Sequence, residues 1–146
     1  MDTLEFEILD KPNDNQLEDA RKLRIKTFVE EQGFPLGNEM TNDDYECWHV
    51  LLKDKSQVIG NARVIKKDDR SYLGRVAIDI DYRGNGYGKL LNQKVLDECK
   101  KRGVDTLYLE SQIHVVNFYK KLGFETEGPV FVVEGADHQK MKKKIQ

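Results

Sequence analysis

The spacing of apolar residues changes several times along the chain, and each change marks an element. Leu4, Phe6 and Ile8 alternate with polar residues, the period of a half-buried strand. From Asn13 or Asp14, either of which is a good cap, Leu17, Ala20, Leu23, Ile25 and Phe28 recur at roughly helical spacing to about residue 30, and Gly33-Phe34-Pro35 stops the helix. Residues 37–46 are acidic, irregular and too poor in apolar side chains to form an independent core element. Trp48, Val50 and Leu52 alternate again, and residues 58–65 predict the next strand. Lys53-Asp54-Lys55-Ser56-Gln57 forms the hairpin turn between them. Asp68-Asp69-Arg70-Ser71 then turns the chain into a strand over 72–80.

Beyond that strand a glycine-rich turn leads into a long helix over 86–102, with Leu91, Val95 and Cys99 on one face and Gly103 placed as its left-handed cap. A short strand over 107–109 and a helix over about 115–121, ended by Gly123, come next. Strand-like segments near 124–127, 130–134 and 138–145 close the chain. The order β-α-β-β-β-α-β-α-β-β predicts an α+β fold with helices on a largely antiparallel sheet, in a single domain over residues 1–146.

Composition narrows the function classes. The formal charge of -2 with a pI near 6.0 argues against a general nucleic-acid binder, which needs a clustered basic surface. Lys142, Lys143 and Lys144 are a local basic run, read as a solvated chain end. No window approaches the roughly 18 apolar residues of a membrane span, and the acidic start lacks the character of a signal peptide. Cys47 and Cys99 have neither C-x-x-C spacing nor zinc partners, so the expectation is two free thiols, no metal and a cytoplasmic location.

The chemistry concentrates in Val76-Ala77-Ile78-Asp79-Ile80-Asp81-Tyr82-Arg83-Gly84-Asn85-Gly86-Tyr87-Gly88-Lys89-Leu90-Leu91, a strand running through three glycines into a helix. Glycine lets a ligand approach without a Cβ in the way, and a helix start offers free N–H groups and the positive dipole end to phosphate. Arg83 adds a forked donor. A P-loop is excluded because Lys89 is followed by Leu90 rather than Ser or Thr. A dinucleotide fingerprint fails on glycine spacing. The pattern [RQ]-x-x-G-x-[GA] is matched by Arg83, Gly86 and Gly88.

With its upstream strand, this segment resembles the fourth strand and pyrophosphate turn of the GNAT N-acetyltransferases, with Ile80 where many members have proline. Asn117-Phe118-Tyr119-Lys120-Lys121-Leu122-Gly123-Phe124 resembles the second family signature, compressed around the asparagine. Leu23-Arg24, Phe28-Val29, Glu31-Gln32-Gly33 and Pro35, with the closing His138-Gln139-Lys140-Met141, look like the ElaA-like branch.

The resemblance implies a mixed, mostly antiparallel sheet of about six or seven strands with about four helices, and acetyl-CoA as co-substrate. Val76 and Ile78 would bind the pantetheine arm through their main chains, and the Ile78 amide would polarise the acetyl carbonyl. Arg83, Gly84, Asn85, Gly86, Tyr87, Gly88 and Lys89 would cradle the pyrophosphate, with Asn117 as a further cofactor contact or a helix cap. Tyr119 would protonate the departing thiolate. An alkylamine also needs a base, since only about one in a thousand is neutral at pH 7.4. Glu110 and His114 head that list, before Asp79 and Glu31.

Glu31 is also a candidate for lining the acceptor site. Arg63 and Arg75 either hold an acidic acceptor or pair with carboxylates such as Asp79 or Glu110. His49 and His138 read as hydrogen-bonded structural residues. The implied reaction is acetyl transfer to the primary amine of a small molecule or peptide, with no nucleic acid and no membrane, in a chain whose relatives commonly dimerise through a sheet edge. The alternative is an acyl-CoA-binding sensor without turnover on the same fold.

Overall fold

Seven strands form one sheet in the order β1-β2-β3-β4-β5-β7-β6, with every neighbouring pair antiparallel except β4 and β5. The computed structural model describes residues 3–39 and 41–146. The strands are β1 (Leu4–Asp10), β2 (Trp48–Asp54), β3 (Gln57–Lys67), β4 (Arg70–Ile78), β5 (Thr106–Gln112), β6 (Glu125–Val133) and β7 (Ala136–Lys144), and the α-helices are α1 (Asp14–Arg24), α2 (Tyr87–Lys101) and α3 (Val116–Lys121). A π-helical segment, Ile25–Glu31, continues α1 and, counted with the three α-helices and apart from short 3-10 turns, gives four helices among the described residues. Two-residue turns join the hairpins at Lys55-Ser56, Asp68-Asp69 and Glu134-Gly135, with positive φ at both positions, the backbone that matches strand twist.

Alternation along β2 divides the core. Val50 and Leu52 point to the face covered by α2 and α3, where Ile59, Leu91, Val95, Leu107 and Met141 are fully buried. Leu51 points the other way, to Leu9, Ala20 and Leu23 under α1. Each of the valine, leucine, isoleucine and methionine side chains contributes about 1.5–3 kcal/mol by leaving water.

Several elements differ from the periodicity. The first helix is capped by Asn13 in a reciprocal box with Gln16, but it changes from α to π geometry after Arg24 rather than running on as α-helix to residue 30. Segments 124–127 and 130–134 are one strand broken by a register shift at Gly128-Pro129, where proline has no ladder donor. The strand expected over 107–109 extends to Gln112. The lysine run belongs to β7, paired with β5, and is not a loose chain end.

The acidic stretch before β2 holds the largest correction: it sends two carboxylates into the core. Glu39 is 3% exposed and Asp44 0%, while Met40 lies outside the described residues. Arg24 donates to Glu39 from Nε at 2.9 Å and to both oxygens of Asp44 from its terminal nitrogens. Arg63 Nη1 adds a bond to Asp44 at 3.1 Å. Among the described residues the loop is fixed by buried carboxylates with forked partners.

Two irregularities shape what lies between the layers. One extra residue in β4 between Gly74 and Ala77 makes a bulge opposite Asn61 and Arg63. It puts Arg75 at φ 53, where the side-chain amide of Asn61 holds its carbonyl at 2.8 Å. Then β4 and β5 part: they pair only at Ser71↔Leu107, Tyr72↔Tyr108 and Leu73↔Leu109, though β4 runs on to Ile78 and β5 to Gln112.

Candidate active site

The parting of β4 and β5 opens a cavity of about 570 Å³. Gly74, Arg75 and Val76 line one side, Glu110, Ser111 and Gln112 the other, and Tyr119 belongs to its wall. A second concavity, of about 550 Å³, lies around Trp48, Arg102 and Tyr108, beside Ser71 and Thr106 at the paired end of β4 and β5, and does not include the glycine turn.

The open edge of β4 suits an extended ligand. Asp79 N donates to Ile59 O at 2.8 Å across β3. Alternation along the strand therefore turns the peptide groups of Val76 and Ile78 to the opposite edge, toward the gap. The Ile78 carbonyl already has a partner there, Arg83 Nε at 2.9 Å.

Arg83 is less free than the motif implies. Its Nη1 and Nη2 grip Glu31 at 2.8 and 2.9 Å, a forked pair 52 residues apart in sequence. Glu31 is therefore placed at the glycine turn. The turn is built as the motif demands: Gly84 and Gly86 have φ 82 and 80, and nothing lies within 4 Å of a Cβ at either. Asn85 fastens it through Nδ2 to the carbonyls of Tyr82 and Arg83. Gly86 caps α2 with no side-chain bond to the helix, which leaves the amides of its first turn for an anion. Tyr87 packs near Tyr82, ring centres 6.2 Å apart, and Lys89 is exposed. These features fit the pyrophosphate and pantetheine of coenzyme A.

Tyr119 is 7% exposed, set edge-on between Phe118 and Phe124 at centroid distances of 5.2 and 5.6 Å. Burial pushes its phenol well above the usual tyrosine range, so it keeps its proton across the neutral region. Glu110 and His114 are exposed members of the same wall. Asn117 is exposed, lies outside that wall and caps nothing: α3 starts after Val115 without a side-chain cap. Asp79 turns inward to cap the next turn through Asp81 N and to meet Lys26 Nζ at 3.3 Å.

Arg63 and Arg75 both border the cavity, yet their carboxylate partners are Asp44 and Glu39, not Asp79 or Glu110. Arg75 Nε lies 2.8 Å from Glu39 Oε2, and its Nη2 donates to the Asn38 carbonyl at 3.0 Å. His49 is fully buried with Nε2 on the Asp44 carbonyl, and desolvation pulls its ring below the usual histidine range. His138, read as structural from its strand position, is part of the cavity wall; the closing H-x-x-M motif was the signal for it. Gln32 and Gln112 span the cavity mouth at 3.0 Å, a contact without a sequence signal.

Known proteins carry the same plan. The model of the acetyltransferase (GNAT) domain matches residues 13–145. Protein ElaA of Escherichia coli (strain K12) is 31% identical over 139 residues, covering 90% of this chain and 89% of its own length. Its crystal structure superposes with a TM-score of 0.88 over 97% of this chain and 99% of that one, at 30% identity. The uncharacterized N-acetyltransferase YjcF of Bacillus subtilis (strain 168) is 29% identical over 132 residues, 90% of this chain and 94% of the relative. An acyl-CoA N-acyltransferase from Pseudomonas aeruginosa, 23% identical, shares the fold with a TM-score of 0.88 over 96% of this chain and 99% of its own. Parted strands, a glycine-opened helix start and a matched family model together place the chain in the GNAT acetyltransferase family, in its ElaA-like branch, whose shared chemistry is acyl transfer from acyl-coenzyme A.

Proposed function

We propose that this chain is an acetyl-CoA-dependent N-acetyltransferase acting on a primary amine of a small molecule or peptide, in the cytoplasm. The observation that carries the reading is Tyr119, a buried phenol kept protonated in the wall of a cavity that the open peptide edge of β4 also borders. A donor lying along that edge takes main-chain bonds from Val76 and Ile78, with the amides at the start of α2 on its pyrophosphate. The amine attacks the thioester carbon, the C–N bond forms and the C–S bond breaks. Tyr119 gives the departing sulfur its proton. Arg83 serves the pyrophosphate after exchanging Glu31 for it.

Calorimetric titration with acetyl-CoA, with ATP and NAD as controls and Arg83→Ala alongside, tests the donor. Thiol release on a panel of amines then tests the transfer. Selective micromolar binding weakened by R83A is the expected result; heat with ATP or NAD alone removes the reading.

A further inference from the structure

We propose that His138 is the general base of the transfer, accepting the amine's proton at Nε2. The inference rests on the N-acetyltransferase reading. Nδ1 of His138 lies 2.8 Å from the Ala136 carbonyl. A carbonyl oxygen only accepts, so Nδ1 carries the hydrogen, and in the neutral ring Nε2 keeps its lone pair. Nε2 has no partner among the described residues, and it is not sealed from solvent as His49 Nδ1 is. The ring is steadied by Phe131, its cross-strand neighbour, at 6.0 Å between centroids.

Strand register gives the direction. Leu109 pairs with Met141 on the core face, so His138, three residues earlier on β7, faces the other way beside Gln112. That face is the one where Gln112 reaches Gln32, the residue that ends the π-helical segment, away from α2 and α3. Tyr119 comes from the opposite face of the sheet, on α3, and shares the cavity. An acid and a base thus approach the gap from opposite sides, one for the leaving sulfur and one for the entering nitrogen.

The charged groups that line the cavity with His138 are Glu110 and His114 from β5 and the turn after it, Glu134 from the β6–β7 turn, and Lys67 and Asp68 from the end of β3 and its turn, with Lys140 on the same face of β7. Across the cavity Arg63 and Arg75 are occupied with Asp44 and Glu39. Glu110 and His114 are exposed, whereas His138 is 8% exposed and held in one tautomer. The ammonium gives one proton to Nε2, which passes it to solvent. The neutral amine then forms the C–N bond as the C–S bond breaks. Tyr119 protonates the sulfur and recovers a proton from the acylated nitrogen, so one proton is released per turnover.

His138→Asn separates this role from a structural one, because its amide nitrogen can replace Nδ1 on the Ala136 carbonyl while Nε2 is removed. With acetyl-CoA and spermidine, L-lysine and benzylamine as acceptor probes, H138N is expected to lose about 100-fold or more in kcat at pH 7. It should lose the acidic limb of the wild-type pH profile, regain rate as pH rises toward the amine's own pKa and keep its acetyl-CoA affinity. An H138N rate within threefold of wild type, with the acidic limb intact, overturns the assignment and leaves the transferase reading standing. Absence of acetyl-CoA binding by the wild type overturns that reading instead. Nitrogen-15 NMR of the free protein checks the tautomer directly: a proton on Nε2 rather than Nδ1 of His138 overturns the base whatever the kinetics.

Discussion

The guanidinium of Arg24 lies against the carboxylate of Asp44 with both groups fully out of water, Nη1 and Nη2 donating at 3.0 and 2.9 Å to its two oxygens. Arg21 and Arg63 add bonds to the same carboxylate. Asp44 thus ties α1, β3 and the loop before β2 together behind the cavity.

Removing the carboxylate takes a partner from three guanidinium groups, of which Arg24 keeps Glu39, Arg21 keeps Asp14, and Arg63 keeps no carboxylate among the described residues. Asp44→Ala is expected to lose about 3–5 kcal/mol of stability, the usual cost of breaking a buried pair from one side, measured by urea unfolding. Burial alone would raise the Asp44 pKa, but the hydrogen bonds and charges of Arg24 and Arg63 hold it far below the ordinary carboxylate range. Its folded pKa is depressed, so its stabilisation is full above the unfolded value of about 3.9 and is lost as pH falls through the folded one. Stability curves of wild type and D44A should therefore converge as the pH is lowered below about 4.

Glu31 competes with any phosphate for Arg83. Glu31→Gln removes the competing charge and is expected to tighten acetyl-CoA binding by up to about fivefold, in keeping with a half-exposed ion pair worth about 0.2–1 kcal/mol. Titration calorimetry reads this directly. In an R83A background the same substitution should change nothing, and an equal gain there would separate Glu31 from Arg83.

Tyr119→Phe keeps the edge-on packing with Phe118 and Phe124 and removes only the hydroxyl. The expected outcome is a fall in kcat of about 100-fold with acetyl-CoA affinity preserved. Because the phenol stays protonated well above pH 10, the loss should be the same at pH 7 and pH 9 in initial-rate assays.

Burial raises the thiol of Cys47 to about 11 and that of Cys99 to about 12. Both should therefore resist a thiol reagent at pH 8 in the native protein and react fully in guanidinium chloride. The raised values also favour the folded state below the unfolded thiol pKa of about 8.5. That contribution fades as pH rises toward 11–12, so alkaline unfolding should ease when both cysteines are replaced by serine.

The sheet and the glycine turn were legible because both are local: period-two alternation marks β1 and β2, and Arg83-Gly84-Asn85-Gly86 carries its conformation in its own residues. Tyr119 was legible through its signature next to Gly123-Phe124. Pairings across distance were not. Nothing near Arg83 announces Glu31, and the partners of Arg63 and Arg75 come from an acidic stretch whose polarity reads as surface. The change of α1 to π geometry after Arg24 left no clear mark in a pattern that scatters around helical spacing.

The three residue pairs that join β4 to β5 are the thinnest seam in the sheet. Four strands lie on one side of it and three on the other, so heat or denaturant has least ladder to undo there. A donor lying along the open edge of β4 would fill the gap where rungs are missing. Occupancy and folding would then be linked: at a donor concentration a hundred times its dissociation constant, the protein gains about 2.7 kcal/mol. An opening that took in the co-substrate would thus leave part of the protein's cohesion to be supplied by the co-substrate itself.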